Sequence, residues 1–553
     1  MKTEKIKLEI TGMTCEHCAV SISKLLKNKH GVQDVQINYK TGQGEVVFNP
    51  DLISKDVIVH TINNTKQYKV KSMSCCNIDT SHYDVIIIGG GSAAFAAAIE
   101  CNNQGKTTLL INGGLPIGGT CVNIGCVPSK FLIRAAETIY HGSHSNFEGI
   151  SFSPPSVNFQ KIIQQKKQLV AEMQKKKYIG LLDNLELVRV VEGLATFVDE
   201  KTIVVNEKEE YTADKIIIAT GATTQIPPIE GLKEVGYLTN ATLFDLEEKP
   251  ESLTILGAGY IGLEIASAYN RMGVKIRIIE FTERAIRNQM PDISEEIQKH
   301  LANEGIEFYP NHRIDKVERV GSKIIIKGKD FKTNAPFEFV ENGHIVVATG
   351  TTPNTKLLGL EKIGVAKLPS GHIIVNEFLQ TSVPTIFAVG DCNQNPPYVY
   401  TAAYEGKIAA INASACCVEE FKRVDYTGLP WVIFTDPQVA GVGMDEAECE
   451  RKNIPYEVSK ISLSDVPRAI AAMDTRGFVK LIRHPETDKL LGARIVAPEG
   501  GELVMELSLA IKYGITVSEL AESLHPYLTL SEAIKLAAIG FKKNVAALSC
   551  CAS

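Results

Sequence analysis

Two cysteines five positions apart form the most chemically capable pair in the chain. Cys121 and Cys126 lie in the stretch Gly118–Lys130, which reads GGTCVNIGCVPSK. Five residues of α-helix rise about 7.5 Å, too far for easy disulfide closure, so the backbone between the two sulfurs must depart from a helix. Gly125 permits that departure, and Pro128 suits the first turn of a helix that begins near Cys126. Because a helix N-terminus favours thiolate, the pattern predicts a redox pair with Cys126 as the more acidic sulfur.

Two further cysteine pairs have spacings that suit a soft metal ion. Cys15 and Cys18 form a Cys-x-x-Cys motif in a predicted strand-to-helix loop, and Cys550 and Cys551 are adjacent near the end of the sequence. Adjacent cysteines on a tail suit metal capture better than a structural disulfide, because a vicinal bridge strains the backbone. Cys-x-x-Cys is also typical of thioredoxin-like redox pairs, and it does not separate mercury from copper. The pairs predict metal transfer by ligand exchange, with His17 facing solvent rather than serving as a third ligand.

Two other pairs of adjacent cysteines give weaker indications of function. Cys416 and Cys417 follow an alanine-rich helix and are expected to be small buried residues. Cys75 and Cys76 fall in a short connector, where a relay station for metal and a chance pair both stay open. The chain has 13 cysteines, and its first residues alternate charge and apolar side chains, unlike a signal peptide. This combination indicates reduced thiols in the cytoplasm.

Composition excludes several classes of function. The 553 residues are 44% hydrophobic and carry a formal net charge of -6. No basic stripe is present, so nucleic acid is not an expected partner. No apolar run approaches the ~20 residues that cross a bilayer, so membrane insertion is not expected either. The length suits about four domains of roughly 150 residues each.

The residues around Cys15 and Cys18 are predicted to form a small α/β module. Alternating and helical apolar patterns follow one another in the order βαββαβ through residue 72, which is ferredoxin-like. Residues 73–82 then read as a flexible connector.

Two strand–glycine–helix units follow the connector. Tyr83–Ile88 is a predicted buried strand that leads into Gly-Gly-Gly-Ser-Ala-Ala, and Leu253–Leu256 leads into Gly-Ala-Gly-Tyr-Ile-Gly. Glycines let the backbone approach a pyrophosphate at the helix N-terminus, so two such units predict two dinucleotide sites. The fingerprint positions are Gly89, Gly91 and Ala94 in the first unit and Gly257, Gly259 and Gly262 in the second.

The second strand of each unit ends at the position where a ribose-binding acid is expected. In the first unit this position is Asn112, whose amide can hydrogen-bond a hydroxyl without assistance from a charge. In the second unit it is Glu280, which suits the 2′-hydroxyl of NAD and repels the 2′-phosphate of NADP. Arg284 and Arg287 follow and keep NADPH open beside the favoured NADH.

The Gly118–Lys130 stretch resembles the active site of the flavin disulfide reductases, which include lipoamide dehydrogenase, glutathione reductase and mercuric reductase. That resemblance implies FAD at the first glycine unit and NADH or NADPH at the second. The sequence TIFAVGD, ending at Asp391, resembles the second FAD motif of the family, in which the aspartate contacts the ribityl–phosphate portion. The resemblance assigns further cofactor contacts to Gly119, Thr120, Lys130, Gly221 and Gly350.

The resemblance also implies roles around the flavin. Cys126 faces the flavin and Cys121 is the interchange thiol. Lys130 lies near flavin N5 and pairs with Glu264, whose alternative is an ordinary surface carboxylate of a helix. Tyr260 lies on the nicotinamide side.

The two ends of the chain distinguish members of this family. Disulfide-reducing members carry His-Pro with a glutamate five residues after the histidine, but here His525 is followed at position 530 by leucine. Pro-Tyr-Leu-Thr, with Tyr527, and the Ser-Cys-Cys ending resemble mercuric reductases, in which the tyrosine lies beside the metal. The N-terminal module resembles the heavy-metal-associated domain of copper chaperones and mercury carriers.

These observations predict an α/β enzyme with two Rossmann-like domains and an α+β dimer-interface domain, preceded by the ferredoxin-like module. The expected boundaries are 1–72 for the metal-binding domain, 73–82 for the linker, 83–250 and 351–425 for the FAD domain, 251–350 for the NAD(P)H domain and 426–553 for the dimerisation domain.

The resemblance implies reduction of Hg(II) to volatile Hg(0) by a cytoplasmic homodimer. Metal would pass from Cys15 and Cys18 to the tail cysteines of the partner subunit and then to the redox pair. Expected partners are thiol-bound mercury and a mercury transport protein. The alternative enzyme is a lipoamide dehydrogenase-like or other small-disulfide reductase, which His525 and Glu280 favour. An alternative of another class is a metal-trafficking protein whose flavin keeps carrier thiols reduced.

Overall fold

The computed structural model describes residues 4–50, 52–65, 67–76 and 81–545. By internal contacts, the chain divides into two compact units: residues 1–84 with 210–213, and residues 85–209 with 214–553. Among the described residues, no helix is both long and apolar enough to span a bilayer.

The first unit has the predicted βαββαβ order. Its elements are β1 (Glu4–Thr11), α1 (Glu16–Lys27), β2 (Val32–Asn38), β3 (Gln43–Phe48), α2 (Lys55–Asn63) and β4 (Lys69–Cys76). The antiparallel sheet has the order β2-β3-β1-β4, and its core includes Ile6, Ile22 and Phe48. Backbone pairing with β1 continues through Cys75 and Cys76, so these residues extend β4 inside the stretch predicted as a connector.

The FAD-type fold comes next in the chain, and most of its residues belong to the second unit. Its first elements are β5 (His82–Ile88), α3 (Ser92–Asn103), β6 (Thr108–Asn112), α4 (Gly119–Asn123), α5 (Cys126–His141), α6 (Phe159–Gln174), α7 (Gly180–Leu182), β7 (Val188–Glu192), β8 (Ala195–Phe197), β9 (Thr202–Val205) and β10 (Glu209–Ile218). The sheet order is β7-β6-β5-β10-β9-β8. Because β5, β6 and β7 are parallel, their carboxyl ends share one edge of the sheet.

The nicotinamide-type fold follows in the chain. Its elements are β11 (Ala222–Thr224), α8 (Leu232–Val235), α9 (Asn240–Leu243), β12 (Ser252–Leu256), α10 (Tyr260–Arg271), β13 (Lys275–Ile279), α11 (Pro291–Asn303), β14 (Glu307–Tyr309), β15 (His312–Val320), β16 (Lys323–Asp330), β17 (Pro336–Glu341), β18 (His344–Val347) and β19 (Thr351–Pro353). Parallel strands in the order β14-β13-β12-β18 form the nucleotide sheet, and β15, β16 and β17 form an antiparallel one. The short strands β11 and β19 pair with each other.

The chain then returns to the first sheet and ends in a separate antiparallel domain. Strand β20 (Ile386–Ala388) pairs with β10, and α12 (Val399–Ser414) follows. The last elements are β21 (Pro430–Ile433), β22 (Gln438–Gly443), α13 (Glu446–Lys452), β23 (Glu457–Ser462), α14 (Pro467–Ala471), β24 (Phe478–Arg483), β25 (Leu490–Ala497), α15 (Gly500–Tyr513), α16 (Val517–Glu522) and α17 (Glu532–Ile539). The sheet has the order β21-β22-β25-β24-β23.

Candidate active site and metal-binding sites

The two central cysteines lie on different helices. Cys121 is in α4, and Cys126 is the first residue of α5. Between them, Gly125 precedes the helix, and a Cβ atom at this position would lie 2.9 Å from the carbonyl oxygen of Thr120. Glycine therefore permits the close return of the chain that brings the two sulfurs together. Both residues are free thiols, and their sulfurs interact closely enough for each to shift the pKa of the other.

The surroundings of the pair separate the acidities of the two thiols. The pKa of Cys126 is lowered to about 7, first because the Cys121 thiol donates a hydrogen bond to it and then because Lys130 is nearby. The pKa of Cys121 is raised by the same hydrogen bond and by burial. The more acidic sulfur is therefore Cys126, as its position at a helix N-terminus predicted.

Lys130 and Glu264 form an ion pair across two domains of the second unit. The Lys130 Nζ atom of α5 lies 2.7 Å from Glu264 Oε2 of α10. The other oxygen of Glu264 accepts a hydrogen bond of 3.1 Å from the backbone N–H of Phe434, and the ring of Phe434 lies 4.4 Å from Lys130 Nζ. Glu264 is buried, so the surface-carboxylate alternative is wrong.

Asn123 stabilises the chain around Cys121 by hydrogen bonds, although it was not among the residues predicted for the site. Its side-chain amide donates hydrogen bonds of 2.9 Å to the carbonyl oxygens of Pro116 and Gly119. A second asparagine, Asn240, donates one of 2.8 Å to the carbonyl oxygen of Ile124. The Asn123 amide stabilises the segment that leads into α4, and the Asn240 amide stabilises the turn between α4 and α5. Asn240 lies 116 positions from its partner, so spacing along the sequence could not reveal that contact.

The first glycine unit is shaped for a dinucleotide. At Gly89, with φ +138°, a Cβ atom would lie 2.2 Å from the carbonyl oxygen of Ala219. Gly91 caps α3, and a Cβ atom at Gly119 would lie 2.6 Å from the Cα atom of Gly91. Ala94 is fully buried in α3. The backbone is therefore open at the helix N-terminus, and this cradle fits the pyrophosphate of FAD.

Asp391 lies in a short 3₁₀ turn, Gly390–Cys392, after β20. Burial raises the pKa of its carboxyl group. The turn is held by Glu405 of α12, which is fully buried and accepts hydrogen bonds from Gly390 N–H at 2.7 Å and from Asn393 Nδ2 at 2.9 Å. Its other oxygen accepts hydrogen bonds from Asn395 and Tyr426. Glu405 is thus a positioning residue for Asp391 that no motif revealed.

The remaining FAD-side residues lie where the domains connect. Gly221 and Gly350 both have positive φ, +64° and +110°, and they precede the paired strands β11 and β19. The pairing of β11 with β19 joins the two chain segments that follow these glycines. Thr120, in the first turn of α4, supplies the backbone oxygen that approaches Gly125.

The second glycine unit has the same features. A Cβ atom at Gly257 would lie 2.5 Å from the carbonyl oxygen of Ala348, and one at Gly262 would lie 2.1 Å from the carbonyl oxygen of Gly257. Gly259 caps α10. Glu280, directly after β13, accepts a hydrogen bond of 2.6 Å from the backbone N–H of Ala258. The backbone of the glycine turn therefore holds the Glu280 carboxylate next to the turn.

Arg284 and Arg287 are the two arginines that left NADPH as a candidate coenzyme, and their side chains have different surroundings. Arg284 contacts Glu283 and donates hydrogen bonds to the carbonyl oxygens of Arg287 and Gln289 at 3.1 and 3.2 Å. Its guanidinium is therefore occupied by its own loop. The side chain of Arg287 is exposed.

Tyr260 begins α10 and stacks on Trp431 of β21, with ring centroids 5.8 Å apart. Its hydroxyl accepts a hydrogen bond of 3.2 Å from Asn288 Nδ2. Trp431 is the single tryptophan of the chain. The strand that carries it ends one residue before Phe434, so one segment of the last domain contacts both Tyr260 and the Lys130–Glu264 pair.

In the first unit, the Cys-x-x-Cys motif lies at the start of α1. The sulfurs of Cys15 and Cys18 are 3.7 Å apart. Two thiolates that share one ion are separated by at most about twice a metal–sulfur distance of ~2.3 Å, so this spacing is short enough for shared binding. The pKa of Cys18 is lowered to about 6 by hydrogen bonds from the backbone of Thr14 and the side chain of Tyr68. His17 is exposed, as predicted.

The other cysteines divide by exposure. Cys416 and Cys417 are both exposed, so the prediction of small buried residues is wrong. The alanine-rich helix α12 ends at Ser414, which places the pair on the surface turn beyond it. Cys550 and Cys551 lie outside the described residues, as do the side chains of Cys75 and Cys76. Within the described ranges, no group of three or more His, Cys, Asp or Glu side chains is arranged to hold a metal ion.

The C-terminal loop presents Tyr527 and His525. Tyr527 is half exposed, in a loop between α16 and α17. His525 Nε2 lies 2.8 Å from Glu506 Oε1 of α15. Position 530 is leucine, so the histidine takes its carboxylate partner from a different element than the family motif implies.

Three family models match the chain over most of its length. Residues 7–69 match the heavy-metal-associated domain, residues 83–406 match the pyridine nucleotide-disulphide oxidoreductase domain, and residues 429–538 match the dimerisation domain of the same family. The order of the three agrees with the order predicted from sequence.

Three similar proteins from different bacteria are all named mercuric reductase. A mercuric reductase of Lysinibacillus sphaericus is 38% identical over 99% of this chain and 100% of its own length, and one of Staphylococcus aureus is 36% identical over the full length of both. One of Streptomyces lividans is 40% identical over 85% of this chain and 98% of its own. Among solved structures, the HOCl-induced flavoprotein disulfide reductase RclA of Escherichia coli superposes with a TM-score of 0.72, at 26% identity over 82% of this chain and 98% of that one.

The fold and the paired thiols define a flavin-dependent disulfide reductase. The full-length relatives narrow this class. The chain belongs to the mercuric reductases of the pyridine nucleotide-disulphide oxidoreductase family.

Proposed function

We propose that the protein reduces Hg(II) to Hg(0) with electrons from NADH or NADPH, and so detoxifies mercury. The observation that carries the proposal is the thiol pair Cys121–Cys126, held between two dinucleotide cradles in a chain that also has a Cys-x-x-Cys module. When bound, FAD accepts a hydride from the nicotinamide and carries its electrons to the sulfur pair and to Hg(II).

The residues of the pair have distinct tasks. Cys126 is the thiolate next to the flavin, and its pKa of about 7 leaves about half of it ionised at neutrality. Cys121, the less acidic thiol, exchanges ligands with the incoming metal. Lys130, held by its ion pair with Glu264, lies beside the flavin and the thiolate. Two electrons convert Hg(II) bound by two thiolates into Hg(0) and two free thiolates.

Delivery of the metal proceeds by exchange between thiol pairs. Cys15 and Cys18 capture Hg(II), Cys550 and Cys551 of the partner subunit receive it, and the redox pair takes it last. At each step one thiolate replaces another, so no free ion is released. Tyr260 and Tyr527 flank the metal at the final station.

A homodimer is supported by an exposed apolar stripe on the last domain. Met505, Leu509 and Tyr513 lie four residues apart on α15 and are 47%, 48% and 73% exposed, and Leu524 of the loop between α16 and α17 is 97% exposed. Such a stripe is typical of a protein interface, and the match to the dimerisation domain covers it. The active sites are shared across this interface, in a cytoplasmic enzyme that a mercury transport protein supplies.

NADH is the favoured coenzyme. Glu280 is fixed by two backbone N–H groups, those of Ala258 and Thr282, and therefore cannot turn away from a 2′-phosphate without losing both hydrogen bonds. A fixed carboxylate accepts a ribose hydroxyl and repels a phosphate.

The proposal is tested by Hg(II)-dependent NADH and NADPH oxidation in excess thiol. Replacing Cys121 or Cys126 by serine should abolish the activity, and C550A/C551A should slow turnover of thiol-bound Hg(II) without changing the rate of flavin reduction. A C416S/C417S variant, which removes an exposed adjacent pair outside the proposed path, is the matched control and should retain full activity. Unchanged turnover in the tail variant refutes the hand-off.

A second candidate, reduction of small disulfides, is favoured by the His525–Glu506 pair. Glu506 Oε1 lies 2.8 Å from His525 Nε2 and orients the imidazole, and a histidine held in this way can serve as an acid/base group toward a leaving thiolate. Turnover of oxidised lipoamide that His525→Gln removes, with Hg(II) turnover retained, would establish it as a side activity. Absence of lipoamide turnover in the wild type would exclude it.

A further inference from the structure

The FAD-type sheet has a carboxylate in an unexpected strand. The ribose-binding acid of a dinucleotide fold is expected at the end of the second strand, but β6 ends at Asn112. The neighbouring parallel strand β7 ends at Glu192, and the two residues are direct partners in the register. Asn112 Nδ2 donates a hydrogen bond of 2.8 Å to Glu192 Oε2.

The orientation of the Asn112 amide is fixed by its contacts. Besides Glu192, Nδ2 also donates to the carbonyl oxygen of Leu115 at 3.2 Å, which uses both amide hydrogens. The amide oxygen faces the glycine turn, since a Cβ atom at Gly90 would lie only 2.0 Å from it. Asn112 therefore presents its acceptor to the turn and its donors to the carboxylate.

Glu192 is itself held in place while remaining open to a ligand. Its backbone carbonyl accepts a hydrogen bond of 3.3 Å from Asn206 Nδ2, and the N–H of the next residue, Gly193, donates one of 2.7 Å to the carbonyl oxygen of Asn112. The side chain is exposed, and Oε1 accepts no hydrogen bond from any described residue. A free carboxylate oxygen thus stands at the carboxyl edge of the sheet, beside the dinucleotide cradle.

We propose that Glu192 supplies the carboxylate that binds the adenosine ribose of FAD, with Asn112 as the residue that positions it. The carboxylate thus stands at the end of β7, one strand along the sheet from its usual position at the end of β6. A hydroxyl bonds more strongly to a carboxylate than to an amide oxygen, by roughly a factor of two in energy. The inference rests on FAD as the cofactor but not on mercury as the substrate.

The test is the dissociation constant of FAD for the apoprotein, measured by flavin fluorescence without metal or nicotinamide. E192Q should bind FAD about tenfold more weakly, the change expected for the loss of one charge-assisted hydrogen bond. N112D, which restores an acid at the usual position, should also bind more weakly, because two carboxylates would then meet at the distance of the present hydrogen bond. The double variant N112D/E192Q should recover affinity, since acid and amide have exchanged strands.

Two controls separate recognition of ribose from support of the fold. E200Q removes an exposed carboxylate from the turn between β8 and β9 and should leave the dissociation constant unchanged. With a flavin dinucleotide whose adenosine lacks the 2′-hydroxyl, wild type and E192Q should bind equally. An E192Q constant within twofold of wild type, tighter binding by N112D alone, or the same tenfold loss with the deoxy analogue would each overturn the proposal. Because no step uses Hg(II), failure here leaves the proposed activity untouched, and the reverse also holds.

Discussion

Replacement of Lys130 by methionine should raise the pKa of the Cys126 thiol, while Glu264→Gln should lower it. Lys130 is four residues after Cys126 on α5, where side chains of one helix face lie about 5–6 Å apart at Cβ. Two unit charges at roughly 6 Å, in an effective dielectric constant of about 20 to 40, interact by about 1.4–2.8 kcal/mol. This corresponds to about one to two pKa units. Glu264 acts in the opposite direction, because its negative charge raises the pKa of Cys126.

The assay is the pH dependence of alkylation of Cys126 in the reduced protein, followed by peptide mass spectrometry. With a wild-type pKa of about 7, half of the thiol is ionised at pH 7. A rise of one unit leaves roughly a tenth ionised, so K130M should react about fivefold more slowly at pH 7 and equally at high pH. The exposed Cys416 in the same digest is an internal control. Profiles of K130M and E264Q that coincide with wild type, or that shift in the same direction, would refute the electrostatic reasoning.

Three other predictions concern separate sites. Glu405→Gln places an amide where four donors meet a buried carboxylate, which should lower the free energy of unfolding by about 1–3 kcal/mol or more. The melting temperature and the affinity for FAD should both fall. An unchanged melting temperature would contradict the positioning role. Glu280→Ala should lower the ratio of kcat/KM for NADH to kcat/KM for NADPH by about tenfold, which is the effect expected for the loss of one charged contact. An unchanged ratio would show that Glu280 does not select the coenzyme. Tyr68→Phe removes a hydrogen bond that lowers the pKa of Cys18, so the pH midpoint for alkylation of Cys18 should rise. A midpoint that stays near pH 6 would show that Tyr68 does not contribute to the acidity of Cys18.

Spacing along the chain was sufficient for features that depend on local geometry. The glycine units, the two cysteines beside a helix start and the βαββαβ order all follow from periodicity and from residues with special backbone freedom. The acidity of Cys126 was also predictable, because a helix N-terminus acts over one turn.

Features that depend on partners distant in sequence could not be read in this way. Glu192 meets Asn112 only because β6 and β7 are parallel neighbours in one register, and 80 positions separate the two residues in the chain. Glu506 replaces a partner expected five residues from His525, which only the packing of α15 reveals. The error at Cys416 concerned burial, because the sequence correctly placed the pair after the helix but does not show whether other elements cover the segment beyond it.

The most direct test of the central claim is the stoichiometry of the complete reaction. Purified, FAD-loaded protein should oxidise one NADH for each Hg(0) released when thiol-bound Hg(II) is supplied and the evolved mercury is trapped. The ratio should remain one to one when oxygen is removed. Oxidation of NADH without Hg(0) release, or oxidation that depends on a disulfide or on oxygen instead of Hg(II), would contradict the account.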